Sequence, residues 1–260
     1  MKTNKKCDLH VHTNFSYDNP RDNTMEQNVV SAIHKGIDIL CFTEHIECGN
    51  INTFVDYPFE IRKREFDRLA QKYDGQIKLL LGFEMGSPHR HPRELAFLRS
   101  LEPDMIIGSV HHPTDYHNIN YHMSSKDYEK LYEQEVRKMV ECGGFDVLGH
   151  ADMLKKYHHH YKPDLDFLAE TLKICVQNDI VPELNTSPLR QMPIGPHSQE
   201  SMISAQMARV YAEFGGKYVT ISSDSHDYKT IGSHFEETYD AICDVLSLCY
   251  FEKGKLVELQ

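Results

Sequence analysis

The chain has 260 residues, 40% hydrophobic and 26% charged, which suits one large or two small folded domains and excludes a disordered, collagenous or coiled-coil chain. Its 28 basic and 39 acidic side chains leave a formal charge of −11, a sign that argues against a sequence-independent grip on nucleic acid or anionic lipid. No apolar run approaches the roughly 18–20 residues of a membrane span, Met1–Cys7 does not read as a signal peptide, and seven scattered cysteines without a Cys-x-x-Cys pair predict reduced thiols in a cytoplasmic protein.

In chain order, short apolar runs alternate with longer amphipathic patterns. The first run, Cys7–Val11, leads into Asp8-Leu9-His10-Val11-His12. Strand side chains alternate, so Asp8, His10 and His12 share one face. Two imidazoles two residues apart can reach one metal ion, with Asp8 placed to hold a ring N–H behind them. A loop with Asp18 before Asn19-Pro20 follows, then a predicted helix over Met25–His34. The second run, Ile37–Thr43, ends in Glu44-His45; a helix over Phe59–Tyr73 comes next; the third run, Ile77–Glu84, ends in Glu84. The fourth, Asp104–His111, ends in His111 and is followed by His112.

A helix is predicted over Lys126–Cys142, where Tyr128, Leu131, Tyr132, Val136, Met139 and Val140 make one apolar stripe. Ser124-Ser125 and Asp127 offer capping groups in front, and Gly143-Gly144 stops it. The fifth run, Phe145–His150, ends in His150. Helices over Asp164–Gln177, Gln199–Phe214 and Glu236–Cys249 flank the sixth and seventh runs, Ile180–Asn185 and Tyr218–Asp224. The sixth leads to Arg190, and the seventh to Asp224 and His226.

Sevenfold strand–helix alternation predicts an α/β protein with a parallel sheet, and a closed barrel accommodates residues 1–260 as a single domain. A doubly wound open sheet competes, but no glycine-rich phosphate loop follows any run. In a barrel the C-terminal strand ends gather at one rim, and six of the seven runs end in His, Glu or Asp. Nine residues are therefore candidate metal ligands: His10, His12, Asp18, His45, Glu84, His111, His150, Asp224 and His226. Nine ligands exceed what one ion needs, and mixed imidazole and carboxylate donors without thiolate fit two or three Zn, Fe or Mn ions. Histidines also occur in Pro88–Pro92 (His89, His91) and in the loop Asp115–Met123 (His117, His122), most of them expected at the surface.

These residues resemble the PHP (polymerase and histidinol phosphatase) superfamily of metal-dependent phosphoesterases, nearest its histidinol-phosphatase branch. The segments that carry the resemblance are Asp8–Thr13, Ser16–Pro20, Phe42–His45, Gly82–Gly86, Gly108–His111, Leu148–Asp152, Glu183–Arg190 and Ser222–His226. The resemblance implies a distorted (β/α)7 TIM-like barrel with its metal site at the C-terminal rim. It implies one ion on His10, His12, Glu84 and Asp224, a second on Glu84, His111 and His150, and a third on Asp18, His45 and His226. It implies a catalytic role for Asp224 and His226 beside a phosphate-facing Arg190, although Pro188 stands where the family has glycine. His112 is a further candidate substrate contact. The implied reaction is hydrolysis of a small phosphomonoester, L-histidinol phosphate in histidine biosynthesis. The alternatives are another small phosphate or nucleotide, or a metal-binding barrel without catalysis. A small phosphorylated substrate, no nucleic acid and no membrane are the expected partners.

Overall fold

Seven parallel strands in sequence order form the inner layer: β1 (Cys7–Val11), β2 (Ile39–Ile46), β3 (Lys78–Gly86), β4 (Met105–Ser109), β5 (Val147–Leu148), β6 (Val181–Asn185) and β7 (Tyr218–Ser222). The structure is a computed structural model that describes residues 5–49, 51–113, 126–154, 161, 164–190 and 205–259. The loop with His117 and His122, the Ser124-Ser125 cap and the start of the predicted helix over Gln199–Phe214 lie outside the described residues.

β1, β2, β4, β5 and β6 are buried along their whole length, as strands covered on both faces must be. The outer layer is helical: α1 (Met25–His34), α2 (Phe59–Lys72), α3 (Pro92–Ser100), α4 (Lys126–Cys142), α5 (Leu165–Gln177), α6 (Ala205–Glu213) and α7 (Phe235–Ile242). α4 buries Tyr128, Tyr132, Val136, Met139 and Val140, and the chain leaves it through Gly143 and Gly144, both at positive φ.

The first and seventh strands meet. Val11 bridges Ser225, the His12 N–H donates to the Ser225 carbonyl at 2.9 Å, and the Ser225 N–H donates to the His10 carbonyl at 3.3 Å. Asp8 strengthens this junction. Its carboxylate accepts from the Ser223 N–H at 2.9 Å, the Ser223 hydroxyl at 2.5 Å and the Gly232 N–H at 2.7 Å. The fold is thus a distorted seven-stranded α/β barrel, joined at the C-terminal rim between β1 and β7. At its other end β7 pairs with β8 (Ser247–Glu252), which turns back into antiparallel β9 (Lys255–Glu258). No helix among the described residues is long and apolar enough to cross a membrane.

Two expectations need correction. The helix predicted over Glu236–Cys249 ends at Ile242, because Leu248, Cys249 and Phe251 are buried as strand residues against β7 and β9. Asp8 holds no histidine ring; it clasps β1 to the chain after β7.

Candidate metal centre

All nine candidate ligands meet at the C-terminal rim. His10 is the next-to-last residue of β1, with His12 just beyond the strand. The register of β1 against β2 slips by one residue between Asp8 and Val11, a bulge of the kind that re-aims side chains beside functional sites. His45 and Glu84 sit on paired positions of β2 and β3. His111, His150 and Asp224 lie two residues beyond the ends of β4, β5 and β7. Asp224 has φ of 50°, a left-handed backbone that costs an aspartate strain and is held by its surroundings.

The three ligand sets that the resemblance implies overlap in space, since His45 Nδ1 also lies 2.8 Å from Glu84 Oε2 and groups with Glu47 and His111. His10 Nε2 is 3.1 Å from Glu84 Oε2 and 3.9 Å from Asp224 Oδ1, and His12 Nε2 is 3.4 and 3.5 Å from the same two oxygens. On the other Glu84 oxygen, Oε1, His111 Nε2 lies at 3.1 Å and His150 Nε2 at 2.8 Å. Asp18 Oδ2 is 3.4 Å from His45 Nε2 and 3.2 Å from His226 Nε2. Donors 2.0–2.2 Å from one tetrahedral ion stand roughly 3.3–3.6 Å apart, and these spacings scatter around that value. The rings crowd accordingly: His12 stacks on His45 with centroids 4.1 Å apart and lies 4.3 Å from His226.

Proton accounting sharpens the fit. The Nδ1 of His10 donates to Glu183 Oε1 at 2.7 Å, that of His111 to Glu47 Oε1 at 2.6 Å, and that of His226 to the Asp224 carbonyl at 3.2 Å. A neutral imidazole has one N–H, so the Nε2 of each then carries a lone pair. Those lone pairs face carboxylate oxygens, and two acceptors repel unless a cation or proton lies between them. His10 Nε2, His12 Nε2 and Glu84 Oε2 are buried without a hydrogen-bond partner. Burying such atoms unpaired is costly, and a divalent transition-metal ion is what this donor set would satisfy.

Without an ion, protons occupy much of this donor set. Burial drives the His10 imidazole down, but Glu84 and Glu183 outweigh it and hold the group well above its ordinary range. His111 is raised similarly, burial being outweighed by Glu84 and Glu47. His45 reaches about 10, since Glu84 and Asp18 overcome its burial. Glu84 stays far below the usual carboxylate range despite burial, because His10, His111 and His45 surround it. His12 goes down, through burial and then the neighbouring His45 and His226. Any ion entering the centre must therefore displace protons.

Arg190 lies in a short 3-10 turn, Ser187–Arg190, beside Asp224. Its guanidinium donates to the Ser223 carbonyl, to Ser233 Oγ at 3.2 Å and to the Asp224 carbonyl at 3.1 Å. It therefore grips the strained Asp224 backbone. His112 sits on the rim next to His111, its Nε2 buried without a partner. His89 instead pairs with Glu135 at 3.0 Å, outside the three groups.

Sequence reasoning assigned no role to Glu183 or Glu47. Glu183 is buried in β6, where it also accepts the His150 N–H at 2.9 Å and Asn185 Nδ2 at 3.1 Å, tying two ligands together. A buried acid inside an apolar strand run was the available signal for Glu183. Glu47, one residue past β2, offered none.

The sequence model of the PHP domain matches residues 8–187. A "Probable histidinol-phosphatase" of Clostridium acetobutylicum is 29% identical over 241 residues, covering 88% of this chain and 89% of that protein. The histidinol-phosphatase of Lactococcus lactis is 25% identical over 240 residues, covering 85% and 84%. A crystal structure of histidinol phosphate phosphatase from Lactococcus lactis, complexed with zinc, L-histidinol and phosphate, superposes with a TM-score of 0.83 at 22% identity. That likeness, one of fold, covers 97% of this chain and 99% of the other.

Proposed function

The chain belongs to the PHP domain family, and from that membership and the rim geometry we propose that it is a metal-dependent phosphomonoesterase that hydrolyses L-histidinol phosphate to L-histidinol and phosphate. The observation that carries the reaction class is the convergence of nine imidazole and carboxylate side chains at one rim, with donor atoms 2.8 to 3.5 Å apart. The substrate rests on the relatives, which bear the histidinol-phosphatase name across most of this chain. The reading places the protein in histidine biosynthesis in the cytoplasm.

Two or three Zn, Fe or Mn ions would be held as the groups divide: His10, His12, Glu84 and Asp224; Glu84, His111 and His150; Asp18, His45 and His226. Bound divalent ions lower the pKa of water toward neutrality and offset phosphoryl charge. The protein's own part is placement. Glu84 presents one oxygen to each of two groups. Glu183 and Glu47 hold the His10 and His111 rings, as carboxylates behind metal-binding imidazoles do. Asp224 and His226 would bring the first and third groups against the substrate phosphate. Arg190 supplies positive charge beside them, and its grip on Asp224 makes positioning part of its work. His112 offers a polar contact for the substrate at the rim.

The test is phosphate release from L-histidinol phosphate, beside a panel of nucleotides and p-nitrophenyl phosphate, with and without a chelator. A chelator-sensitive kcat/KM far above the panel is expected. Equal, slow release from every ester would refute the substrate, and activity indifferent to thorough chelation would refute the metal mechanism.

A further inference from the structure

The turn after β1 carries a hydrogen-bond arrangement that the reaction does not use directly. Ser16 is buried, and its Oγ meets three groups: Glu44 Oε2 at 2.8 Å, the His45 backbone N–H at 3.1 Å and His12 Nδ1 at 3.1 Å. A hydroxyl has one proton to give and two lone pairs to receive with. The backbone N–H of His45 can only donate, so it takes one lone pair.

The direction of the Glu44 contact follows from that residue's other neighbours. Glu44 is fully buried and accepts the Thr13 N–H at 2.9 Å and the Thr13 hydroxyl at 2.7 Å. The buried Arg62 lies 3.9 Å from Glu44 Oε1. Arg62 reaches in from α2, donates to the carbonyls of Phe42 at 3.0 Å and Gly82 at 2.8 Å, and lies over the Phe83 ring. A buried guanidinium needs a counter-charge, and Glu44 is the carboxylate beside it. An ionised carboxylate accepts only, so the Ser16 hydroxyl gives its single proton to Glu44.

One lone pair of Ser16 then remains for His12, and the ring must donate from Nδ1. We infer that Ser16, oriented by Glu44 and Arg62, is a positioning residue that fixes His12 as its Nδ1–H tautomer and so turns the Nε2 lone pair toward Glu84 and Asp224. This rests on the metal reading above and deepens it. His10 and His111 are set by carboxylates, whereas His12 is set by a hydroxyl whose own direction is imposed from behind. In metal sites, losing such a partner costs about ten- to a hundredfold in affinity.

The experiment is zinc binding to the full chain by chelator competition, for wild type, Ser16→Ala and Ser16→Thr. The alanine variant is expected to bind at least one zinc about ten- to a hundredfold more weakly, and the threonine variant, which keeps the hydroxyl, to recover most of that loss. Imidazole nitrogen shifts of the zinc-loaded wild type should show the His12 proton on Nδ1. Undiminished zinc affinity in Ser16→Ala, or a proton on Nε2, overturns the inference. Should the alanine variant not fold, Ser16→Cys keeps the volume with a weaker acceptor and must still bind zinc less tightly than wild type. Wild type that binds no zinc would instead refute the metal reading, so the two failures are distinct.

Discussion

Replacing Glu84 by Gln tests the centre at the residue where its groups join. Glu84 is fully buried and lies within 3.4 Å of His10, His12, His45, His111 and His150. Glutamine keeps the shape but loses the charge, and its NH2 cannot ligate, so one of the two groups sharing Glu84 loses its oxygen. Zinc at a thousand times its Kd should stabilise the wild type by about 4 kcal/mol for one site. At about 2–4 °C per kcal/mol for a chain of this size, Tm should rise by roughly 8–16 °C. A hundredfold weaker Kd in Glu84→Gln would leave about 1.4 kcal/mol, so the rise should shrink to roughly 3–6 °C. A loss of about 4 kcal/mol of charge stabilisation is a thousandfold in rate, so kcat/KM should fall at least about that far. Calorimetry with and without zinc, alongside phosphate release, makes the measurement. A variant with the full zinc-dependent rise and near-wild-type turnover would refute the role of Glu84 in joining two groups.

The raised His10, His45 and His111 mean that protons compete with ions, so apparent zinc affinity should climb from pH 6 to 8 and zinc addition should release protons, read with an indicator in weak buffer. The sign reverses for the ion-free protein: His45, raised from 6.5 to about 10, contributes stability that is complete below about pH 6.5 and is lost as pH rises toward 10, visible as a falling Tm. A Cβ on Gly86 would overlap the Glu47 carboxylate, so Gly86→Ala should push Glu47 off His111, cost about 1–3 kcal/mol in chemical denaturation and weaken zinc binding. Arg190→Ala should lower both zinc affinity and kcat/KM; a raised KM with unchanged zinc affinity would give Arg190 to the phosphate alone.

The parallel strands were legible because burial on both faces writes each as a short apolar run, and six of those runs carry a ligand-type residue at the rim. The C-terminal hairpin was misread. Leu246, Leu248 and Cys249 sit at spacings that also suit a helix, and the deciding signal was the two-residue loop Lys253-Gly254, both at positive φ, as a tight hairpin requires. The ligands could be found in sequence because their chemistry is local to a strand end. Their partners could not: Glu183 meets His10 across 173 residues, and Glu47 meets His111 across 64. Alternation sets Asp8 on the face of the histidines, but only the approach of β7 shows that its oxygens are spent on Ser223 and Gly232.

Charge ties the centre to its substrate class. The protein carries −11 overall, and Asp18, Glu84 and Asp224 put three carboxylates at the rim. Without ions these carboxylates are offset by the raised His10, His45 and His111 imidazoles, while the guanidinium of Arg190 is already bonded to Ser223, Ser233 and Asp224. Each divalent ion that displaces a proton adds positive charge to the centre, so ions should strengthen anion binding as well as serve the chemistry. Inorganic phosphate should protect the zinc-loaded protein against heat more than the chelated protein. Equal protection of both would place the anion on fixed side chains and remove the argument that this arrangement of imidazoles serves to bring positive charge to an acidic protein.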